Sequence, residues 1–343
     1  MDGSVIVTYR CPMHCRMCNI WDNPTRPSEE FAPSLLEMLP RMRSVNITGG
    51  EPFVREDIED IVKVLEKKTS RIVFSTSGFF PERVLEMARR HPNVGYRISI
   101  EGLSCKNDEL RGRQGGFDKG LKTLLELRRM GVRDIGFGIT VSNNNSSDML
   151  DLYELSKNLG MEFATASFHN SFYFHKYDNQ VTNRDEVCAN FDELIQRLMK
   201  ERNPKSWARA FFNLGLINYI NGGRRMLPCE AGTENFFLDP FGNILPCNGM
   251  EESCWYGTMG NLNDATFEQI WNSPQAAAIR DKVAHCPKSC WMIGSVSPVM
   301  KKYLRQIAPW ILRNKWAVLR GGRVDTHCIP FYKVGNNELQ GLR

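Results

Sequence analysis

Cys11, Cys15 and Cys18 stand in a C-x3-C-x2-C spacing inside eight residues. Three thiolates so close crowd one small ion, but they can wrap one corner of a four-iron cubane. Such a cluster normally takes four cysteines, so three leave one iron open to a ligand, as a catalytic zinc keeps an open position. A zinc site completed by His14 satisfies the same spacing. Cys229, Cys247, Cys286 and Cys290 form a second group: C-x12-G-x4-C across a turn at Gly242, then C-x3-C. Four thiolates can close a cluster on all sides or hold a structural zinc. Cys254 is an alternative ligand for this group, and Cys105, Cys188 and Cys328 read as free thiols.

Other motifs accompany the first triplet. Gly49-Gly50-Glu51-Pro52 ends a second apolar run, and Ser99, Glu101 and Gly102 precede Arg111-Gly112. Taken with the cysteine spacing, they resemble the radical S-adenosylmethionine (radical SAM) enzymes. The resemblance implies that the three cysteines hold a [4Fe–4S] cluster whose open iron chelates the amino and carboxylate groups of S-adenosylmethionine. One electron would then cleave that cofactor to methionine and a 5′-deoxyadenosyl radical, which takes a hydrogen atom from substrate. It also implies cofactor contacts at Gly49, Gly50, Glu51, Pro52, Thr76, Ser99, Glu101 and Arg111. Met17 would cover adenine, where relatives often carry an aromatic residue, and Ser75, Ser77 and 140–142 would line the adenosine. Arginine suits a carboxylate because its planar fork matches two oxygens. On their own, the glycines also read as an ordinary strand-to-helix turn and Arg111 as a surface ion pair. The second cysteine group resembles the twitch/SPASM-type auxiliary-cluster extension of the same family. A C-x2-C-x5-C-x3-C block is incomplete, which implies one auxiliary [4Fe–4S] cluster, either structural or accepting an electron from substrate.

Elements must position these residues. Residues 5–9, 44–48, 71–76, 96–100, 134–141 and 162–168 read as buried strands, with helical patterns near 33–41, 56–68, 81–90, 117–130 and 148–159. Strand–helix alternation implies parallel strands with right-handed crossovers. Six strands are too few for a closed eight-stranded barrel. The expected fold is α/β: a partial (β/α)6 TIM-like barrel with chemistry at the C-terminal ends of its strands. Helices over 184–200 and 205–221 follow, then a hairpin over 234–247 with Asp239, Pro240 and Gly242 at its turn, and a helix over 266–284. The expected domains are a barrel over 1–222, a twitch/SPASM-like β-hairpin-plus-helix extension over 223–295, and a basic amphipathic tail over 296–343. His169, Tyr173 and His175, with Asn170, follow the sixth strand and are candidate catalytic residues, able to hold or accept a proton. The alternative is a loop of satisfied polar groups.

Composition narrows the classes. With 343 residues, 42% hydrophobic and 24% charged, the chain reads as a soluble globular enzyme and not a disordered one. It has no apolar run of about 18 residues and no signal-peptide pattern, so a cytoplasmic setting is expected. In a reducing compartment, 11 cysteines read as ligands or free thiols rather than disulfides. Seven basic and no acidic residues lie in 301–323, so the remainder, at −2 of a total +5, does not read as a nucleic-acid binder. The basic segment reads as a helix packed on the barrel, or as a contact with an anionic membrane or substrate. Basic charge also suits an acidic electron donor such as flavodoxin or ferredoxin. The first motif lies close to the start of the sequence, which favours a small-molecule substrate. The expectation is dehydrogenation or epimerisation of a polar, sugar- or aminocyclitol-like substrate. A maturase of a ribosomally made peptide is the alternative, and a non-catalytic iron–sulfur or zinc protein is a third reading.

Overall fold

A computed structural model describes residues 1–250, 257–327 and 329–330. Six parallel strands come first: β1 (Asp2–Ile6), β2 (Val45–Thr48), β3 (Ile72–Thr76), β4 (Gly95–Ser99), β5 (Ile135–Val141) and β6 (Glu162–Ser167). Burial alternates along them. Val5, Ile47, Phe74, Tyr96, Ile98, Phe137 and Phe163 pack outward in the core, whereas Asn46, Ser75, Ser99, Gly138 and Ala164 are only partly buried on the opposite face. One face of the curved sheet thus carries the core and the other, small and polar, lines its concavity.

The crossovers are α1 (Ile58–Glu66), α2 (Pro81–Arg90), α3 (Ser104–Arg111), α4 (Gly116–Arg129) and α5 (Asp148–Asn158). Ile58, Ile61, Val62 and Leu65 give α1 a buried stripe at helical spacing. The expected helix near 33–41 is a 3₁₀ turn, Pro33–Met38, opened by its proline. Helix α3 had no apolar signal: SCKNDELR buries only Asn107, Leu110 and Arg111.

Helices α6 (Arg184–Lys200) and α7 (Pro204–Ile220) pair and precede β7 (Asn235–Leu238), β8 (Asn243–Leu245) and β9 (Gly260–Asn261). Strand β7 pairs in parallel with β1, so the hairpin extends the barrel sheet. The resulting nine-stranded order is β6-β5-β4-β3-β2-β1-β7-β8-β9. The expected helix over 266–284 divides into α8 (Phe267–Trp271) and α9 (Pro274–Ala284), because Ser273 caps α9 and Pro274 opens it. The basic segment forms α10 (Ile293–Lys302) and α11 (Leu304–Leu319), and α11 packs against α6 and α7. Its inner face buries Ile307, Trp310, Ile311 and Asn314, with Trp310 5.6 Å from Phe211. Leu312, Trp316 and Leu319 face outward. Among the described residues no helix is long and apolar enough to cross a membrane.

Candidate active site

The segment after β1 carries Cys11, Cys15 and Cys18, all partly buried. Two clamps shape it. On one side the end of α3 accepts hydrogen bonds from the loop: His14 N–H to Arg111 O at 3.0 Å and Arg16 N–H to Leu110 O at 2.9 Å. Gly112 has φ +61°, and a Cβ there would lie 2.3 Å from His14 O, so only glycine lets the helix end meet the loop this closely. On the other side the buried Glu30 carboxylate accepts from Arg10 (2.8 and 3.0 Å), Thr25 (2.6 Å) and Thr8. Buried Arg55 adds bonds to Val7 O and Phe31 O, each 2.9 Å, and to Asp57. Burial pushes the Cys11 and Cys15 thiols up and Cys18 up to about 12, so metal binding there would displace protons. His14 is exposed, its ring 4.6 Å from that of Trp21.

The GGEP stretch lies beside this loop. A Cβ on Gly50 would approach Arg10 O to 2.4 Å, and Gly50 N–H donates to Thr8 O at 2.7 Å. The glycines therefore let the end of β2 press against the cysteine segment. Gly49 O accepts from the Tyr173 hydroxyl at 2.9 Å. Glu51 accepts from Phe53 N–H (3.2 Å), Thr76 Oγ1 (2.6 Å) and both Ser77 N–H (2.8 Å) and Oγ (2.5 Å). Glu51, Thr76 and Ser77 thus tie β2 to β3, and buried Pro52 opens a 3₁₀ turn. Ser75 donates to Asn46 at 3.0 Å, and Ser99 is half-buried at the end of β4.

Glu101 and Arg111 form a buried ion pair at 3.0 Å, and Glu101 also accepts from Thr140 N–H at 2.6 Å. Burial pushes the Glu101 carboxyl up against the pull of Arg111. Burial works to lower the Arg111 pKa, but the neighbouring Cys15, Glu101, Cys11 and Glu51 hold it above its ordinary value. Arg111 Nε is buried with no hydrogen-bond partner among the described residues. A guanidinium N–H held this way is a ready donor for a carboxylate.

Residues 168–180 join the pieces. Asn19 N–H donates to Phe174 O (2.8 Å), Asn19 Nδ2 to His175 O (3.0 Å), and Asn179 Nδ2 to Met17 O (3.0 Å). Phe172 N–H donates to Met250 O at 2.6 Å, reaching the segment after Cys247. Asn170 Oδ1 accepts from Asn179 N–H at 2.9 Å, and His169 Nδ1 lies 3.1 Å from Ser167 O. His175 occupies left-handed backbone, φ +48°, and its Nε2 is buried without a partner among the described residues. Burial lowers its pKa, so the neutral ring prevails at pH 7.

Cys229, Cys247, Cys286 and Cys290 line one small cavity, walled also by Met250 and Met292. Among the described residues no three Cys, His, Asp or Glu side chains converge on a single ion. Burial pushes Cys247 and Cys290 up. Arg225 donates to Cys290 O, lies 3.9 Å from Cys290 Sγ and rests on the Trp291 ring at 5.6 Å. Lys288 Nζ donates to Gly249 O at 2.9 Å. Two cations beside four thiols offset the negative charge that metal binding would create. Cys105 is exposed and Cys188 is half-buried beside Asn221, apart from both groups, while Cys254 and Cys328 lie outside the described residues.

Sequence motifs did not mark the clamps or the walls. Glu30, Asn179, Arg225, Tyr9 and Phe172 belong to no recognisable spacing, and only their neighbours in space give them a role.

The radical SAM superfamily model matches residues 5–156, and the SPASM iron–sulfur cluster-binding domain model matches residues 229–292. The chain carries a radical SAM domain followed by a SPASM domain. This radical SAM–SPASM enzyme is 24% identical over 297 residues to an AdoMet-dependent heme synthase of Oleidesulfovibrio alaskensis, covering 78% of this chain and 74% of that one. It is 25% identical over 296 residues to the subtilosin biosynthesis protein AlbA of Bacillus subtilis, covering 82% of this chain and 63% of AlbA. Its fold is similar to that of Streptococcus suis SuiB, with a TM-score of 0.61, 17% identity, and coverage of 82% of this chain and 67% of SuiB. The family's cofactors are S-adenosylmethionine and [4Fe–4S] clusters. The donor sets fit them: three thiols beside a buried guanidinium with a spare N–H, and four thiols around one cavity.

Proposed function

We propose that this radical SAM–SPASM enzyme modifies a residue within a peptide chain. The observation that carries this reading is a run of rings across the barrel mouth. Phe172 lies 5.8 Å from His175, His175 5.9 Å from Tyr9, and Tyr9 5.9 Å from Phe241, with the two end rings each 39% exposed. Tyr9 between them is buried, so the exposed rings are Phe172 and Phe241, which can pack on side chains of a polypeptide. The names of similar proteins support it, since AlbA serves bacteriocin biosynthesis and other relatives are mycofactocin maturases. This reading replaces the sugar-like substrate as the preferred one.

Cys11, Cys15 and Cys18 would hold the cluster that binds S-adenosylmethionine, and Cys229, Cys247, Cys286 and Cys290 the auxiliary one. When bound, the cofactor supplies one-electron chemistry that removes a hydrogen atom from substrate. Arg111 would orient the methionine carboxylate through its spare N–H. Glu51 holds the glycine turn in place by gripping β3. Tyr173 fixes Gly49 through its hydroxyl. An acidic flavodoxin or ferredoxin would deliver the electron.

The test is anaerobic co-expression with short peptides encoded beside the gene, followed by mass spectrometry. A mass change in one peptide, lost in Cys15→Ala, is expected. No peptide change, together with turnover of a sugar or aminocyclitol, would overturn the reading.

A further inference from the structure

Helix α11 is apolar on two sides, and the body of the protein covers one of them. Ile307, Trp310, Ile311 and Asn314 recur at helical spacing and are buried toward α6 and α7. The outer face carries Leu304, Leu312, Trp316 and Leu319, which are 56%, 63%, 55% and 72% exposed. Their spacing keeps these four side chains within about a third of the helix circumference. Single exposed leucines are ordinary, but a stripe of large apolar groups marks an interaction surface.

Charge borders the stripe. Arg305, within it, and Arg313 and Arg320, along one edge, are all exposed. Residues 301–323 hold seven basic residues and no acidic one. Among the described residues Arg305 and Arg320 have no acidic partner, and Arg313 has only Asp325, at 3.9 Å. Arg320 instead lies over the Trp316 ring, its guanidinium 3.3 Å from the centroid. Lys315 Nζ donates to Met199 O and Glu201 O at 2.7 Å each, which sets the exposed Lys200 and Arg202 near the same end of α11.

We propose that the outer face of α11 seats the protein on the surface of an anionic lipid bilayer. Charge and apolarity together select this partner. An acidic protein would satisfy the arginines but does not account for three exposed leucines beside them. A second copy packed on the same face would bring its own basic segment against this one, which repels. A bilayer with anionic headgroups answers both features. Leu312, Trp316 and Leu319 enter the boundary between headgroups and acyl chains, where tryptophan is favoured, while the arginine heads stay among the phosphates. The contact is peripheral, since the opposite side of α11 is committed to α6 and α7. This inference does not depend on which substrate the enzyme modifies.

The test is flotation of the anaerobically reconstituted enzyme with vesicles of phosphatidylcholine, alone or mixed equally with phosphatidylglycerol. The wild type should bind the anionic vesicles at least about tenfold more tightly than the neutral ones. Raising the salt should weaken that binding. Two variants separate the contributions: Leu312→Ser with Trp316→Ser and Leu319→Ser, and Arg305→Glu with Arg320→Glu. Each should lose at least about tenfold in binding to anionic vesicles. All five positions are exposed, so circular dichroism and 5′-deoxyadenosine release should match the wild type. As a second readout, anionic vesicles should shift the wild-type tryptophan emission to the blue, and Trp316→Phe should remove that shift. Absence of wild-type binding to anionic vesicles would overturn the proposal. Binding that survives the triple serine variant would reduce the contact to charge alone and overturn the seating of the stripe. A dimer in solution that the triple variant dissociates, without vesicle binding, would assign the face to a second copy instead.

Discussion

At the scale of single residues, Gly112 shows how a small residue controls a reactive loop. It combines a left-handed backbone with a contact no Cβ can make, 2.3 Å from His14 O. Gly112→Ala should cost about 1–2 kcal/mol in backbone strain alone. It should also push the end of α3 off the cysteine segment. The expected outcome is iron content falling by about half, with the auxiliary group still loaded. Iron and sulfide assays on the anaerobically purified variant check it. The Arg-Gly pair was legible in the sequence as part of a family motif, but its glycine was not explained there. The reason lies across 98 residues of chain, in the carbonyl of His14. Glu51 shows the opposite case. Its motif drew attention to the cofactor, whereas among the described residues its carboxylate accepts from Phe53, Thr76 and Ser77. A motif marks where a residue matters without saying which neighbour it serves.

At the scale of elements, the loops at the strand ends are braced from below by buried charge. Burial alone would raise the Glu30 carboxyl, but hydrogen bonds from Arg10, Thr25 and Thr8 outweigh it and hold it below the usual range. The stabilisation this gives is fully present above the unfolded carboxyl value of about 4.3 and is lost as pH falls through the lower folded value. Glu30→Gln should therefore be less stable than the wild type near neutral pH, and the gap should narrow as the solution is acidified below about pH 4. Urea unfolding across that range measures it, and a gap independent of pH would deny Glu30 this role. The six strands and their helices were legible because apolar periodicity reports burial directly. The segment 168–180 was legible only as a place with reactive side chains. Its structural work is done by main-chain groups, such as His175 O and Met17 O, which no sequence pattern displays. Helix α3 escaped notice for a related reason: it docks by its end and not by an apolar stripe.

At the scale of the whole molecule, the parallel pairing of β7 with β1 joins the strand that precedes Cys11, Cys15 and Cys18 and the hairpin that lies between Cys229 and Cys247 in one sheet. A hairpin signal in the sequence says nothing about what its outer edge pairs with. The basic segment is likewise part of the body. Its charge is visible in the sequence, but which face packs inward follows from α6 and α7. Trp310→Ala should cost about 3–5 kcal/mol, as expected for emptying a buried aromatic site. Trp316→Ala, at a residue 55% exposed on the outer face of the same helix, should change stability by no more than about 0.5 kcal/mol. Thermal unfolding under anaerobic conditions distinguishes the two. If the two losses were equal, α11 would not pack as described.

The most direct test of the account is an iron and sulfide count, with 5′-deoxyadenosine release under a reductant, in the wild type, Cys15→Ala and Cys247→Ala. The wild type should hold about eight irons per chain and release the nucleoside. Each variant should drop to about four irons. Cys15→Ala should release none, and Cys247→Ala should retain release. Zinc in place of iron, or release surviving in Cys15→Ala, would contradict the division of labour between the two cysteine groups.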